Sequence, residues 1–279
     1  MKDPLRPLLL TMGDACGIGP EIIVRAFQRG AAAACVAVGD LAVMRRAMAL
    51  MPDPWPLARL EMPTDVAACP PGCLPLWLPE GLPDGLADLP WGTVDARAGA
   101  AAAACIEAAV RLVQRGEAAG LVTAPLHKAA LAAAGVPYPG HTEMLQALAA
   151  PPGVALPPVR MMLANDELRV VLVTIHLALR DAIDAVTFDT VLETLRIAQA
   201  AALGWGEAGP RIAVAGLNPH AGEDGLFGDE ERRIIAPAIA AARAEGIDAH
   251  GPFAPDTVFM RARRGEFDLV IAMTHDHGL

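Results

Sequence analysis

Short apolar runs of three to five residues recur along the chain, and most lead into a turn and then a longer, alanine-rich amphipathic run. Residues 8–12, Cys35–Val38, 121–123, Ile212–Ala215 and 269–273 are of the first kind. Apolar runs this short, without polar alternation, fit strands buried on both faces, as in a parallel sheet covered by helices. Residues 41–50, 94–115, His141–Ala149, 187–203 and 229–245 are of the second kind, and alanine is the strongest helix former. Alternating strands and helices predict an α/β protein with a largely parallel sheet. Residues 159–163 and 168–174 read as an antiparallel pair turning at Asn165 and Asp166. Residues 51–92 are rich in Pro, Gly and Trp, with one strand expected at 74–78. The 279 residues suffice for one large or two medium domains.

A formal charge of -10 argues against a nucleic-acid-binding surface, which needs clustered Lys and Arg. No apolar run approaches the roughly 20 residues that span a bilayer, and the N-terminus lacks a secretory leader, so a cytoplasmic location is expected. In that setting the five cysteines are expected as thiols. Cys69 and Cys73 have no nearby Cys/His pair to complete a metal site.

Four of the seven histidines stand at ends of apolar runs or at a helix start: His141, His176, His220 and His275. In open α/β sheets ligands bind beyond the carboxyl ends of strands. His176, His220 and His275, each following such a run, make a candidate divalent-metal site. The alternative is three hydrogen-bonded loop residues, since no pair has the short helical spacing of a local metal motif. The turn from Gly13 to Glu21 lacks the G-x-G-x-x-G order of a dinucleotide fingerprint and also reads as a tight strand-to-helix connection. Lys128 follows a strand and is a candidate functional group, although most lysines are solvated. Gly222 to Gly225 is an acidic loop without the twelve-residue calcium pattern. Asp256, after Pro255, reads as a helix N-cap able also to face a metal. Nucleophile-elbow and Walker A motifs are absent.

Together these segments resemble the 4-hydroxythreonine-4-phosphate dehydrogenase family, PdxA of vitamin B6 biosynthesis. The matching stretches are Thr11-Met12-Gly13-Asp14 with Gly17-Ile18-Gly19-Pro20-Glu21, Val122-Thr123-Ala124-Pro125 with Lys128, and Pro139-Gly140-His141-Thr142-Glu143. Gly216-Leu217-Asn218-Pro219-His220-Ala221-Gly222-Glu223, Gly228-Asp229-Glu230-Glu231, Pro255-Asp256-Thr257 and His275-Asp276 follow in family order. The resemblance implies an isocitrate/isopropylmalate dehydrogenase-like fold of two α/β/α domains with a cleft between them. Residues 1–124 plus 268–279 would form the first domain, and 125–267 the second, with metal and dimer-interface residues. It implies a homodimer with a shared active site, metal ligands His176, His220 and His275, and substrate-binding residues His141 and Thr142. Lys128 and Asp256 are the catalytic candidates for the base.

The implied reaction is oxidation of 4-phosphooxy-L-threonine, a small phosphorylated hydroxy amino acid. It uses NAD or NADP and a divalent metal (Zn, Mg or Co), and decarboxylation to 3-amino-2-oxopropyl phosphate follows. Two departures from the family pattern point to the alternative of a paralogue acting on 4-phospho-threonate or an aromatic dihydrodiol. His277 stands where the family commonly has Gln, and Ala15-Cys16 where it commonly has Pro-Ala. The chain ends at Leu279, before the stretch in which the family carries further substrate- and cofactor-binding residues. A truncated, inactive member is therefore the other alternative.

Overall fold

The apolar runs become strands because helices cover both faces of the sheets they build. The computed structural model describes residues 6–151 and 153–278; Leu279, at the end of the last family-like motif, lies outside the described residues. The chain divides into two compact units, Met1–Pro157 and Pro158–Leu279.

The first unit holds strands β1 (Leu8–Thr11), β2 (Cys35–Val38), β3 (Leu57–Leu60), β4 (Leu74–Trp77) and β5 (Gly120–Thr123). All pair in parallel, in the order β3-β4-β2-β1-β5. Its helices are α1 (Gly19–Gln28), α2 (Leu41–Met48), α3 (Ala96–Gln114), α4 (Lys128–Ala133) and α5 (His141–Ala149). Pro20 sits in the first turn of α1, and Asp40 caps α2 by accepting from the Val43 N–H at 2.8 Å. Leu9, Val36, Val38, Leu74 and Leu76 are wholly buried between the helical layers. Each such burial stabilises by about 1.5–3 kcal/mol. Strand β3 lies at the sheet edge, where its proline-rich surroundings are tolerated.

The second unit holds β6 (Met162–Ala164), β7 (Arg169–Leu172), β8 (Ile212–Ala215), β9 (Ala249–Phe253) and β10 (Leu269–Ala272). Their order is β6-β7-β10-β8-β9, and only the β6–β7 pair is antiparallel. The Asn165 side chain holds that hairpin by accepting from the Glu167 and Leu168 N–H groups. The helices are α6 (Leu179–Ala185), α7 (Phe188–Gly204), α8 (Ala236–Ala244) and α9 (Pro255–Arg263), followed by a single turn, His275–Gly278. Residues Glu231–Ile235, expected as regular helix, form a π-helical turn leading into α8.

The α/β class with parallel sheets is as expected, but the unit boundaries differ from the expected domains. Residues 125–157 belong to the first unit because α4 and α5 pack on α3: Leu131 and Met144 are wholly buried in one cluster with Ile106. Gly99 makes this possible, since a Cβ there would run into the Ala130 backbone. Residues 268–279 belong to the second unit because β10 is hydrogen-bonded between β7 and β8. Among the described residues no helix is long and apolar enough to cross a membrane. The cysteines are free thiols, and burial pushes Cys105 up to about 12.

Candidate functional site

In the second unit three neighbouring parallel strands, β7, β10 and β8, deliver His176, His275 and His220 from the same edge of the sheet. The β7–β10 ladder continues past the strands: the Val173 N–H donates to Ala272 O, and the Thr174 hydroxyl donates to Met273 O at 2.8 Å. This brings the His176 and His275 rings together, with centroids 5.6 Å apart and a tilt of 45°. Asp276 Oδ1 lies 2.9 Å from His275 Nδ1. A carboxylate at one ring nitrogen fixes the tautomer and leaves the other for a ligand. His176 is held at φ 51, in the left-handed region that side chains seldom adopt.

His220 comes from a more strained loop. Residues His220, Ala221, Gly222, Glu223 and Asp224 all have positive φ, from 44 to 80, forming a left-handed turn. Left-handed backbone costs roughly 1–2 kcal/mol per non-glycine residue, and only one of these five is glycine. Such strain persists only where surrounding contacts over-determine it. Here Glu231, only 5% exposed, accepts from the Leu217 and Asn218 N–H groups, both at 2.7 Å, and from the Asn218 amide at 3.0 Å. The Asn218 amide also donates to Glu230 and holds its carboxyl below the usual value.

His220 Nδ1 faces Asp256 Oδ2 at 4.0 Å. Asp256 is not the expected N-cap: Ala254 holds that position, and Asp256 lies in the first turn of α9. A cavity of about 200 Å³ is lined by Thr174, His176, His275 and His277. A second, of about 240 Å³, is lined by Asn218, His220, Asp256 and His277. His277 thus borders both, a placement signalled in the sequence only by its departure from the family pattern.

Two of the three expected ligands, His176 and His275, are adjacent, and His220 stands with Asp256 at the neighbouring strand end. Among the described residues no three His, Cys, Asp or Glu side chains are closed onto one point. The donor set still fits a divalent ion: three imidazoles on one sheet edge, two of them beside carboxylates.

In the first unit, the loops after β1 and β5 meet where the strand order reverses. Such a switch point is the usual ligand crevice of an open α/β sheet. The Asp14 N–H donates to Pro125 O, and the Ala124 N–H to Thr11 O. Gly13, at φ 69, allows this approach. His141 opens α5 near the Ala124 backbone, while its Nε2 is buried without a partner, as is Thr11 Oγ1. Buried polar atoms without partners are costly, and a ligand that meets them offsets that cost. Thr142 is exposed beside His141, and the Lys128 side chain lies against Gly140, its Cε 3.6 Å from the position of a Cβ there.

The turn after β1 does not fit a dinucleotide pyrophosphate. The buried Asp14 carboxylate occupies it, accepting from the Cys16 N–H at 2.9 Å. A carboxylate in that place repels phosphate.

Burial pushes the His141 imidazole below its ordinary value of 6.5, against the smaller raising effect of the nearby Ala124 backbone. The unfolded chain therefore binds the extra proton first as pH falls below about 6.5, and stability declines on that side. His141→Asn is expected to flatten this decline, read as urea midpoints at about pH 7 and about pH 5. An unchanged acid slope would count against the assignment.

A family model described as "Pyridoxal phosphate biosynthetic protein PdxA" matches residues 31–279. The chain is 51% identical over 274 residues to a 4-hydroxythreonine-4-phosphate dehydrogenase of Beijerinckia indica, covering 98% of this chain and 79% of that protein. It is 44% identical over 274 residues to a D-threonate 4-phosphate dehydrogenase of Pectobacterium atrosepticum, covering 97% and 82%. The crystal structure of a 4-hydroxythreonine-4-phosphate dehydrogenase from Klebsiella pneumoniae superposes with a TM-score of 0.88 at 40% identity, covering 98% and 81%.

Proposed function

Because this chain belongs to the PdxA family, we propose that it is an NAD(P)- and divalent-metal-dependent dehydrogenase of 4-phosphooxy-L-threonine in pyridoxal phosphate biosynthesis. It oxidises the C3 hydroxyl, whose proton goes to a base; a bound nicotinamide would supply the hydride acceptor. The oxo acid then loses carbon dioxide to give 3-amino-2-oxopropyl phosphate. The observation that carries the reading is the row of histidines at the carboxyl ends of β7, β10 and β8.

His176, His220 and His275 would hold the metal. An all-imidazole donor set favours zinc or cobalt over magnesium, which takes oxygen ligands. When bound, such an ion polarises the substrate hydroxyl and stabilises charge developing on oxygen. Neutral imidazoles leave the charge of that ion undiminished for this purpose. In the first unit, His141 offers its unpartnered Nε2, and Thr142 its hydroxyl, to the substrate. Either Lys128, beside Gly140, or Asp256, beside His220, is the proton acceptor in this reading. A homodimer with a shared active site belongs to the same proposal.

The 44% identity to a D-threonate 4-phosphate dehydrogenase supports a second reading, oxidation of that substrate. The test is NADH formation by the purified chain with cobalt or zinc, on each substrate separately. Turnover on 4-phosphooxy-threonine that EDTA abolishes is the expected result. A higher kcat/KM on D-threonate 4-phosphate selects the second reading. Absence of turnover on both by folded, metal-loaded protein overturns both.

A further inference from the structure

We propose that Glu231 is a positioning residue for His220, holding the left-handed loop in the one conformation that presents the imidazole at the sheet edge. The proposal rests on the metal-ligand reading of His220 given above.

Glu231 is buried, and both its oxygens are used on the segment immediately before His220. Oε1 accepts from the Leu217 and Asn218 N–H groups, and Oε2 from the Asn218 side chain. The geometry has little slack. A Cβ on Gly216 would lie 3.0 Å from Oε1, and one on Gly222 would lie 2.7 Å from Oε2. Gly222 is within the left-handed turn, so the carboxylate braces the loop on both sides of His220. The base of the brace is equally fixed. Glu231 opens the π-helical turn, and its carbonyl accepts from the Ala236 N–H, five residues on. Turns of this kind recur at functional sites because they re-aim a side chain that a regular helix would direct elsewhere.

Without the carboxylate, the Leu217 and Asn218 backbone N–H groups lose their acceptor, and four strained non-glycine residues lose the contact that over-determines them. His220 would then sample many directions. Glutamine can still accept both backbone N–H groups, but its NH2 faces the Asn218 amide donor. Glu231→Gln should therefore retain part of the effect that Glu231→Ala loses.

The test has two independent readouts on the full chain. The first is amide hydrogen exchange of residues 216–228 in metal-free protein. Exchange should rise in Glu231→Gln and rise further in Glu231→Ala, with β7 and β10 still protected. Unchanged exchange across 216–228 in both variants overturns the proposal. The second is cobalt titration followed by its visible absorption. Loss of a partner that orients a ligand typically costs 10–100-fold in metal affinity, so roughly 100-fold weaker binding is expected for Glu231→Ala and about 10-fold for Glu231→Gln. The absorption of bound cobalt should shift, which a lower yield of folded protein would not produce. Wild-type affinity and spectrum in Glu231→Gln and Glu231→Ala overturn the positioning role. Failure of the unmodified chain to bind cobalt overturns the metal reading instead, and the exchange data alone then decide whether Glu231 sets the loop. If Glu231→Ala does not fold, Glu231→Gln carries both readouts.

Discussion

His220→Ala is expected to weaken divalent-metal binding by more than about 100-fold, beyond the 10–100-fold typical for losing an outer-shell partner, and to remove dehydrogenase turnover with it. The expectation follows from the sheet. With His220 gone, β8 delivers no imidazole to the edge where β7 and β10 deliver theirs. His250 provides the control. It opens toward Asp248, 2.7 Å away, near the start of β9, and His250→Ala should bind metal normally. Cobalt titration of the three proteins checks this. Equal affinity in His220→Ala and the unmodified chain would remove His220 from the ligand set.

Gly13→Ala is expected to destabilise the first unit by roughly 2–5 kcal/mol, from about 1–2 for a left-handed non-glycine residue and about 1–3 for overpacking. The backbone stands at φ 69, and an added Cβ would collide with the Pro125 carbonyl and lie 2.9 Å from the Ala124 backbone. Gly116 separates the two effects. It has φ 73 but nothing within 4 Å of a Cβ, so Gly116→Ala should cost only the conformational part. Denaturant melts of both variants check the difference. A Gly13→Ala protein no less stable than Gly116→Ala would show that the β1 and β5 loops part without penalty.

Much of this was legible from residues alone. Cys35–Val38, His141–Ala149 and Ile212–Ala215 stand as expected, because uninterrupted apolar runs and alanine-rich amphipathic runs mean the same thing locally and globally. Strand β9 was hidden because Gly251 and Pro252 lie inside it, and only an edge position makes them tolerable. The short helices α4 and α6 have no side-chain N-cap to announce them, and α9, expected from Asp256 as its cap, starts from Ala254 instead. The histidines were visible as strand-end residues. The nearness of His176 to His275 was not, because it depends on a ladder between segments far apart in the chain. The left-handed turn at 220–224 had no signal either, since alanine, glutamate and aspartate fill positions where glycine would have marked it.

Among the described residues, β10 comes last in sequence of the strands of its unit and stands in the middle of its sheet. Val270 pairs with Val170, and Leu269 with Ile212, so β7 and β8 share no ladder of their own. Chains emerge from synthesis N-terminus first, and pairings so distant in sequence are slow to form. Until β10 is added, the strands of the second unit can pair only as two half-sheets, β6–β7 and β8–β9, with an open slot between them. An ion meeting that species finds His176 and His220 on separated flanks and no third imidazole between them. On the metal-ligand reading proposed above, loading would be deferred until the slot is filled.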